Sequence, residues 1–257
     1  MPILYYKEIP LSYTIKGQGE PLVLLHGYLE SKEIWNNVVN PLAQKYTVIT
    51  IDIPGHGQSG ILSEVHTMEL MADVVNFIIE KFAFNKVKLL GHSMGGYIAL
   101  AFANKYQHKL SLIGLVHSVS SFDTPEKIKN RNREIDLIKK GKFDLICETS
   151  LPNVFAKDNL KKFSNELEIV KERTKLFDPN GVISLIKGMQ VRKDNIDFFK
   201  NLSLPKIIIK GVKDNFIPFS EMDPRDPEDA TIYTFKNSGH ISFIEEQNKF
   251  IKIILEI

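Results

Sequence analysis

The chain has 257 residues, 43% of them hydrophobic, which suits one α/β domain with room for an insertion. A net charge of +2 names no polyanionic partner, and the single cysteine, Cys147, excludes an intramolecular disulfide framework and any cysteine-based zinc site. The first eight residues lack the basic-then-apolar layout of a secretory leader, and no apolar run approaches the roughly 20 residues needed to cross a bilayer, so a soluble, cytoplasmic protein with no nucleic-acid or membrane partner is expected.

In chain order, residues 4–8 and 11–16 read as an antiparallel hairpin turning around Ile9-Pro10. Gly17 to Pro21 form a turn, and Leu22-Val23-Leu24-Leu25 form a strand covered on both faces. Ser31 is placed to cap a helix carrying Trp35, Val38, Val39 and Leu42, with Pro41 weakening its second half. A strand over 46–51 runs into the turn-rich loop Asp52 to Ser59, and Met68, Met71, Ala72, Val75, Ile79 and Phe82 follow at helical spacing.

Next comes Val87-Lys88-Leu89-Leu90-Gly91-His92-Ser93-Met94-Gly95-Gly96. A short apolar run stops at a glycine, a serine sits between glycines two places either side, and Tyr97 to Ala103 read as a buried helix. A strand turning sharply into a helix exposes the residue at the turn, the arrangement of a nucleophile elbow. The plainer reading of Ser93 is a turn serine in a glycine-rich loop. Residues 112–117 form another buried strand. The alternation of strands and helices to this point implies a parallel sheet with helices on both faces.

From about 120 to 203 no strand-like run appears. Helices are expected over 125–140, 142–149, 158–177 and 179–189, with a short one over 194–199. This stretch holds 17 Lys and Arg against 13 Asp and Glu, a surplus that reads mostly as a solvated face rather than an anion site. Strands resume at 206–211 and 231–235, and residues 243–254 make a closing helix.

In an open parallel sheet, ligands bind beyond the carboxyl ends of the strands. Ser93, Asp214 and His240 all follow strands, in the order Ser…Asp…His. A serine needs a base within hydrogen-bond reach, and the base needs an orienting acid. His240 is the candidate base; the adjacent His92 is the lesser alternative. Asp214 is the candidate acid, its competing role being an Asx turn or a helix cap, with Asp123 second and Asp223 and Asp226 weaker. The backbone N–H groups of Met94, at a helix N-terminus, and Tyr28, in the loop after 22–25, are the expected oxyanion donors. His26, Tyr28 and His92 are candidate pocket residues; His26 is expected chiefly to hold its loop by hydrogen bonds, and His56 to be structural. His66, His108 and His117 have no partner legible in the sequence. No metal-ligand spacing is present, and Gly17-x-Gly19 lacks the dinucleotide context, so neither metal nor cofactor is expected.

Four motifs in order, His26-Gly27-Tyr28, Asp52-x-Pro54-Gly55-x-Gly57-x-Ser59, Gly91-His92-Ser93-Met94-Gly95-Gly96 and Ser238-Gly239-His240, make the chain resemble an α/β-hydrolase-fold protein over nearly its whole length. The resemblance implies a mostly parallel twisted sheet of about eight strands with helices on both faces. It divides the chain into a core, 1–119 and 204–257, and a helical lid, 120–203, inserted after the sixth strand. A serine nucleophile sets aside the dehalogenase and epoxide hydrolase branches, leaving the carboxylesterase, enol-lactonase and carbon–carbon bond hydrolase group. Gly188 to Asp194 is similar to a segment of the esterase and enol-lactonase members. The implied activity is hydrolysis of a small ester or lactone through an acyl-enzyme on Ser93. The alternatives are carbon–carbon bond hydrolysis, a lyase resembling the menaquinone-pathway synthase, or a ligand receptor with a slow triad. One departure is the stretch 219–230, where the family has a helix and two prolines with many acids argue against one.

Overall fold

The computed structural model describes residues 2–257; Met1, the first residue of the stretch read for a leader, lies outside it. Strands β1 (Ile3–Tyr6) and β2 (Ile9–Lys16) form the hairpin, but the turn is Lys7-Glu8. Both residues are left-handed, at φ +48° and +67°. A two-residue hairpin turn of this hand needs positive φ at both central positions. Pro10, locked near φ −65°, cannot supply it and instead pairs within β2 opposite Tyr5.

The other strands are β3 (Glu20–Leu25), β4 (Tyr46–Ile51), β5 (Val87–His92), β6 (Leu110–Val116), β7 (Lys206–Gly211) and β8 (Thr231–Phe235). They make one eight-stranded sheet in the order β1-β2-β4-β3-β5-β6-β7-β8, antiparallel at β1–β2 and β2–β4 and parallel thereafter. Leu22 to Leu25 on β3 are all buried, as a strand covered on both faces requires.

The helix expected after Ser31 begins as a 3₁₀ turn, Lys32–Trp35, and continues as α1 (Asn36–Leu42). Ser31 does not cap it; its hydroxyl donates to Glu33 Oε2 at 2.6 Å. Helix α2 (Met68–Lys81) is capped by Thr67, whose Oγ1 accepts the Leu70 N–H at 3.1 Å. It packs on α3 (Met94–Tyr106), the buried helix after the elbow.

Between β6 and β7 run α4 (Pro125–Lys139), α5 (Phe143–Ser150), α6 (Ser164–Lys175), α7 (Pro179–Gln190) and α8 (Ile196–Asn201), with no strand among the described residues. Helix α6 starts later than its sequence pattern suggests, because Lys157–Asn159 is a 3₁₀ turn. The closing helix divides into α9 (Ser242–Glu245) and α10 (Gln247–Glu256) at Glu246, whose carboxylate accepts the Asn237 N–H and the Ser238 hydroxyl. Among the described residues, no helix is long and apolar enough to cross a membrane. Residues 219–230 contain no helix, as their prolines indicate.

Candidate active site

The chain reverses between β5 and α3 at Ser93, whose backbone sits at φ +50° and ψ −114°. A side chain there costs of order 1–3 kcal/mol, so the turn must be held from outside. The Ser93 N–H donates to Val116 O at 2.9 Å, and its carbonyl accepts from Gly96 N–H and the Ser118 hydroxyl. The flanking glycines are required by contact: a Cβ on Gly91 would stand 2.1 Å from Gly95 O, and one on Gly95 2.6 Å from Leu25 O.

Asp214 follows β7 in a loop. Its Oδ1 accepts the N–H groups of Phe216 and Ile217 at 2.8 and 3.0 Å, an Asx turn, while Oδ2 lies 2.7 Å from His240 Nδ1. The Asx turn and the contact with His240 are therefore made by different oxygens of this aspartate. Burial pushes the Asp214 carboxyl up, but the His240 and His117 imidazoles outweigh it and hold the group well below the usual carboxylate range. His240 follows β8, is 4% exposed, and is anchored by its N–H to Val154 O at 2.8 Å. With Nδ1–H directed at Asp214, Nε2 carries the lone pair. Ser93 and His240 line one cavity of about 360 Å³, together with Tyr28, Tyr97, Arg131 and Met189.

Among the described residues, neither the Tyr28 N–H nor the Met94 N–H donates to a protein acceptor. Their loops are held rigid around them. Glu30 Oε2 accepts the Gly27 N–H at 2.7 Å, and His56 Nε2 accepts the Leu29 N–H at 3.0 Å. The Tyr28 side chain walls the cavity and donates to Glu134 Oε1 on α4 at 2.8 Å, so packing against the insertion and walling the pocket hold together. Burial, and then Glu134, push the Tyr28 phenol well above its ordinary value.

His26 is not a cavity residue, contrary to its reading as a pocket candidate. It is fully buried; its Nδ1–H faces Gly27 O at 2.8 Å and Nε2 accepts the Ile53 N–H at 2.9 Å, the loop-holding role that its position suggested. His92 does edge the cavity. Its ring bonds are with Glu30 Oε2 and His240 O, both at 2.8 Å, so neither nitrogen is directed to Ser93. Asp123 meets Arg131 and Arg192 rather than a histidine. Asp223 pairs with Arg225 and Asp226 with Lys210.

His117 is the residue that sequence reasoning missed. Its Nδ1 stands 3.5 Å from Asp214 Oδ2, and its Nε2 faces the Ser242 hydroxyl and N–H. The available signal was position, since it directly follows β6 at the carboxyl edge of the sheet. His117, Asp214 and His240 are also residue types that bind metals, with ligand atoms within 4.8 Å of one another. Of the two histidines, His240 hydrogen-bonds Asp214 Oδ2 through Nδ1, and His117 Nδ1 faces the same oxygen without a hydrogen bond.

A family model described as alpha/beta hydrolase fold matches residues 20–247. The acetyltransferase component of the acetoin cleaving system of Cupriavidus necator is 26% identical over 94% of this chain, which spans 64% of that protein's length. A pimeloyl-[acyl-carrier protein] methyl ester esterase of Aeromonas hydrophila is 27% identical over 93% of this chain and 95% of its own. A thermophilic esterase from Thermogutta terrifontis, solved with malate bound, superposes with a TM-score of 0.92 at 28% identity, covering 96% of this chain and 92% of that one.

Proposed function

Because the chain belongs to the alpha/beta hydrolase fold family, we propose that it is a serine hydrolase cleaving a small carboxylic ester or lactone through an acyl-enzyme on Ser93. His240 Nε2 takes the Ser93 hydroxyl proton as Oγ attacks the acyl carbon. Asp214 keeps the imidazole in the productive tautomer and stabilises the imidazolium. The N–H groups of Tyr28 and Met94 receive the oxyanion, the latter aided by the N-terminal end of α3. The imidazolium then protonates the leaving alcohol. Water, activated by the same nitrogen, releases the acid and restores Ser93.

The observation that carries this reading is the 2.7 Å contact of His240 Nδ1 with Asp214 Oδ2, beside Ser93 in a shared cavity. The two esterases similar to this chain support it. In the same proposal residues 120–203 act as a lid over the core formed by 1–119 and 204–257, and the protein works in the cytoplasm on a small-molecule substrate. A fluorophosphonate probe is expected to label Ser93, and Ser93→Ala to abolish both labelling and 4-nitrophenyl acetate turnover. Unlabelled protein, with turnover unchanged in Ser93→Ala, sinks the proposal.

A further inference from the structure

The insertion carries a charge arrangement that ester hydrolysis by itself does not use. Asp123 is 1% exposed and receives two arginines. Arg192 is spent on structure. Its Nη1 contacts Asp123 Oδ1 at 2.8 Å and Met189 O at 3.0 Å, its Nε and Nη2 donate to Ser121 O, and its guanidinium lies 3.9 Å from the Tyr97 ring centroid. Arg131 gives Nε and Nη2 to Asp123, and among the described residues its Nη1 has no protein acceptor. Arg131 lines the cavity that holds Ser93 and His240.

Two guanidiniums converge on one buried carboxylate, which leaves Arg131, among the described residues, a free donor at the cavity lining. A ligand carboxylate can accept that donor in a charge-assisted hydrogen bond. The carboxylates at the cavity accept hydrogen bonds from other partners. Glu30 is engaged by the Gly27 N–H and the His92 ring. Glu134 accepts the Tyr28 hydroxyl and lies near the Arg131 guanidinium, and burial raises its carboxyl above the ordinary value. Lys127 adds a second cation to the lining. Lys127, Asn130, Arg131 and Glu134 recur at helical spacing on one face of α4.

We propose that the substrate carries a second, free carboxylate, being an ester or lactone of a dicarboxylic or hydroxycarboxylic acid, and that Arg131 binds this group while hydrolysis occurs at Ser93. The inference rests on the serine hydrolase reading above. Asp123 and Arg192 are positioning residues: they fix the Arg131 fork so that little side-chain freedom is lost on binding. The Gly188 to Asp194 segment gains a role here, since Met189 walls the cavity and Arg192 holds Asp123.

The test compares matched esters. Mono-4-nitrophenyl glutarate is set against 4-nitrophenyl valerate, and 4-acetoxybenzoate against 4-tolyl acetate, so that the charge is offered on the acyl side and on the alcohol side. The natural chain is expected to favour the charged member of at least one pair by about ten- to a hundredfold in kcat/KM, the range of one charge-assisted hydrogen bond. Arg131→Met should collapse that ratio toward one, and Arg131→Lys, which keeps the charge and loses the fork, should give an intermediate ratio. Lys139→Met, exposed on the same helix, should leave the ratio unchanged, which separates the site from the bulk field. Turnover of the neutral esters with Ser93 labelled, but no charged preference in either pair, overturns this inference and leaves the hydrolase reading standing. A preference that survives in Arg131→Lys and Arg131→Met also overturns it. No turnover of any ester and no labelling overturns both.

Discussion

His117 Nδ1 stands 3.5 Å from Asp214 Oδ2, the same oxygen that His240 Nδ1 approaches to 2.7 Å. The Ser242 N–H faces His117 Nε2, which leaves the His117 proton on Nδ1, directed at the carboxylate. Burial lowers this imidazole to about 4, so it is a neutral donor at working pH. Its Nδ1–H dipole faces the carboxylate oxygen that His240 contacts, without a hydrogen bond to it. His117→Asn, an exchange that the left-handed backbone at φ +47° accepts, should therefore move the acid limb of the pH–kcat/KM profile to higher pH. A profile that keeps its limbs, with only the fraction of active protein reduced, contradicts the coupling.

The Ser93 backbone gives a stability prediction independent of chemistry. At φ +50° and ψ −114° an alanine keeps the strain and a glycine relieves it. Under the proposed mechanism both replacements lose about a thousandfold or more in turnover. In urea unfolding, however, Ser93→Gly should exceed Ser93→Ala by about 1 kcal/mol. Equal midpoints would show that the turn is not strained.

Four buried histidines, His26, His56, His66 and His117, have imidazoles that burial lowers, and they act on the acid side of stability. Burial lowers His56 to about 3 and His66 and His117 to about 4. As pH falls below about 6.5 the unfolded chain takes up protons at these positions and the native chain does not, so stability present above 6.5 is lost toward 4. The slope is about 1.4 kcal/mol per pH unit for each such group. Glu134 and Glu245, whose carboxyls burial raises, act in the opposite direction in natural and variant protein alike. Denaturant titrations from pH 4.5 to 6.5 should give a shallower slope for His56→Gln than for the natural chain, whatever its absolute stability. Identical slopes would rule out His56 as a contributor.

The sheet was largely legible because its strands are short apolar runs bounded by turn residues. Tyr46–Ile51 and Lys206–Gly211 match their sequence reading at both ends. Errors fell where partners distant in the chain decide the local backbone. Glu246 breaks the closing helix because the 237–238 loop claims its carboxylate. Lys7-Glu8, rather than Ile9-Pro10, makes the first turn because the Tyr6–Ile9 pairing demands positive φ between them. The candidate site divides the same way. Ser93, Asp214 and His240 stand out because each directly follows a strand or its turn. His117 stands in an equivalent place, but nothing local in the sequence ties it to Asp214, its neighbour in the fold. From the sequence Asp123 reads as a second possible triad acid. Its actual partners, Arg131 and Arg192, come from two separate helical stretches.

By itself the sequence determined the elements and the family: apolar period, glycine spacing and motif order are local properties that need no partner. It also named the three residues of the proposed triad, because strand ends mark the ligand edge of a parallel sheet. Only the tertiary structure decided which oxygen of Asp214 serves His240, that His117 shares it, and that Arg131 reaches the cavity with one guanidinium nitrogen free among the described residues. Those outcomes depend on distances of a few ångströms between residues far apart in the chain. Charge counting saw the surplus of the insertion as a solvated face, since a count cannot tell an exposed lysine from an arginine pinned beside a buried aspartate.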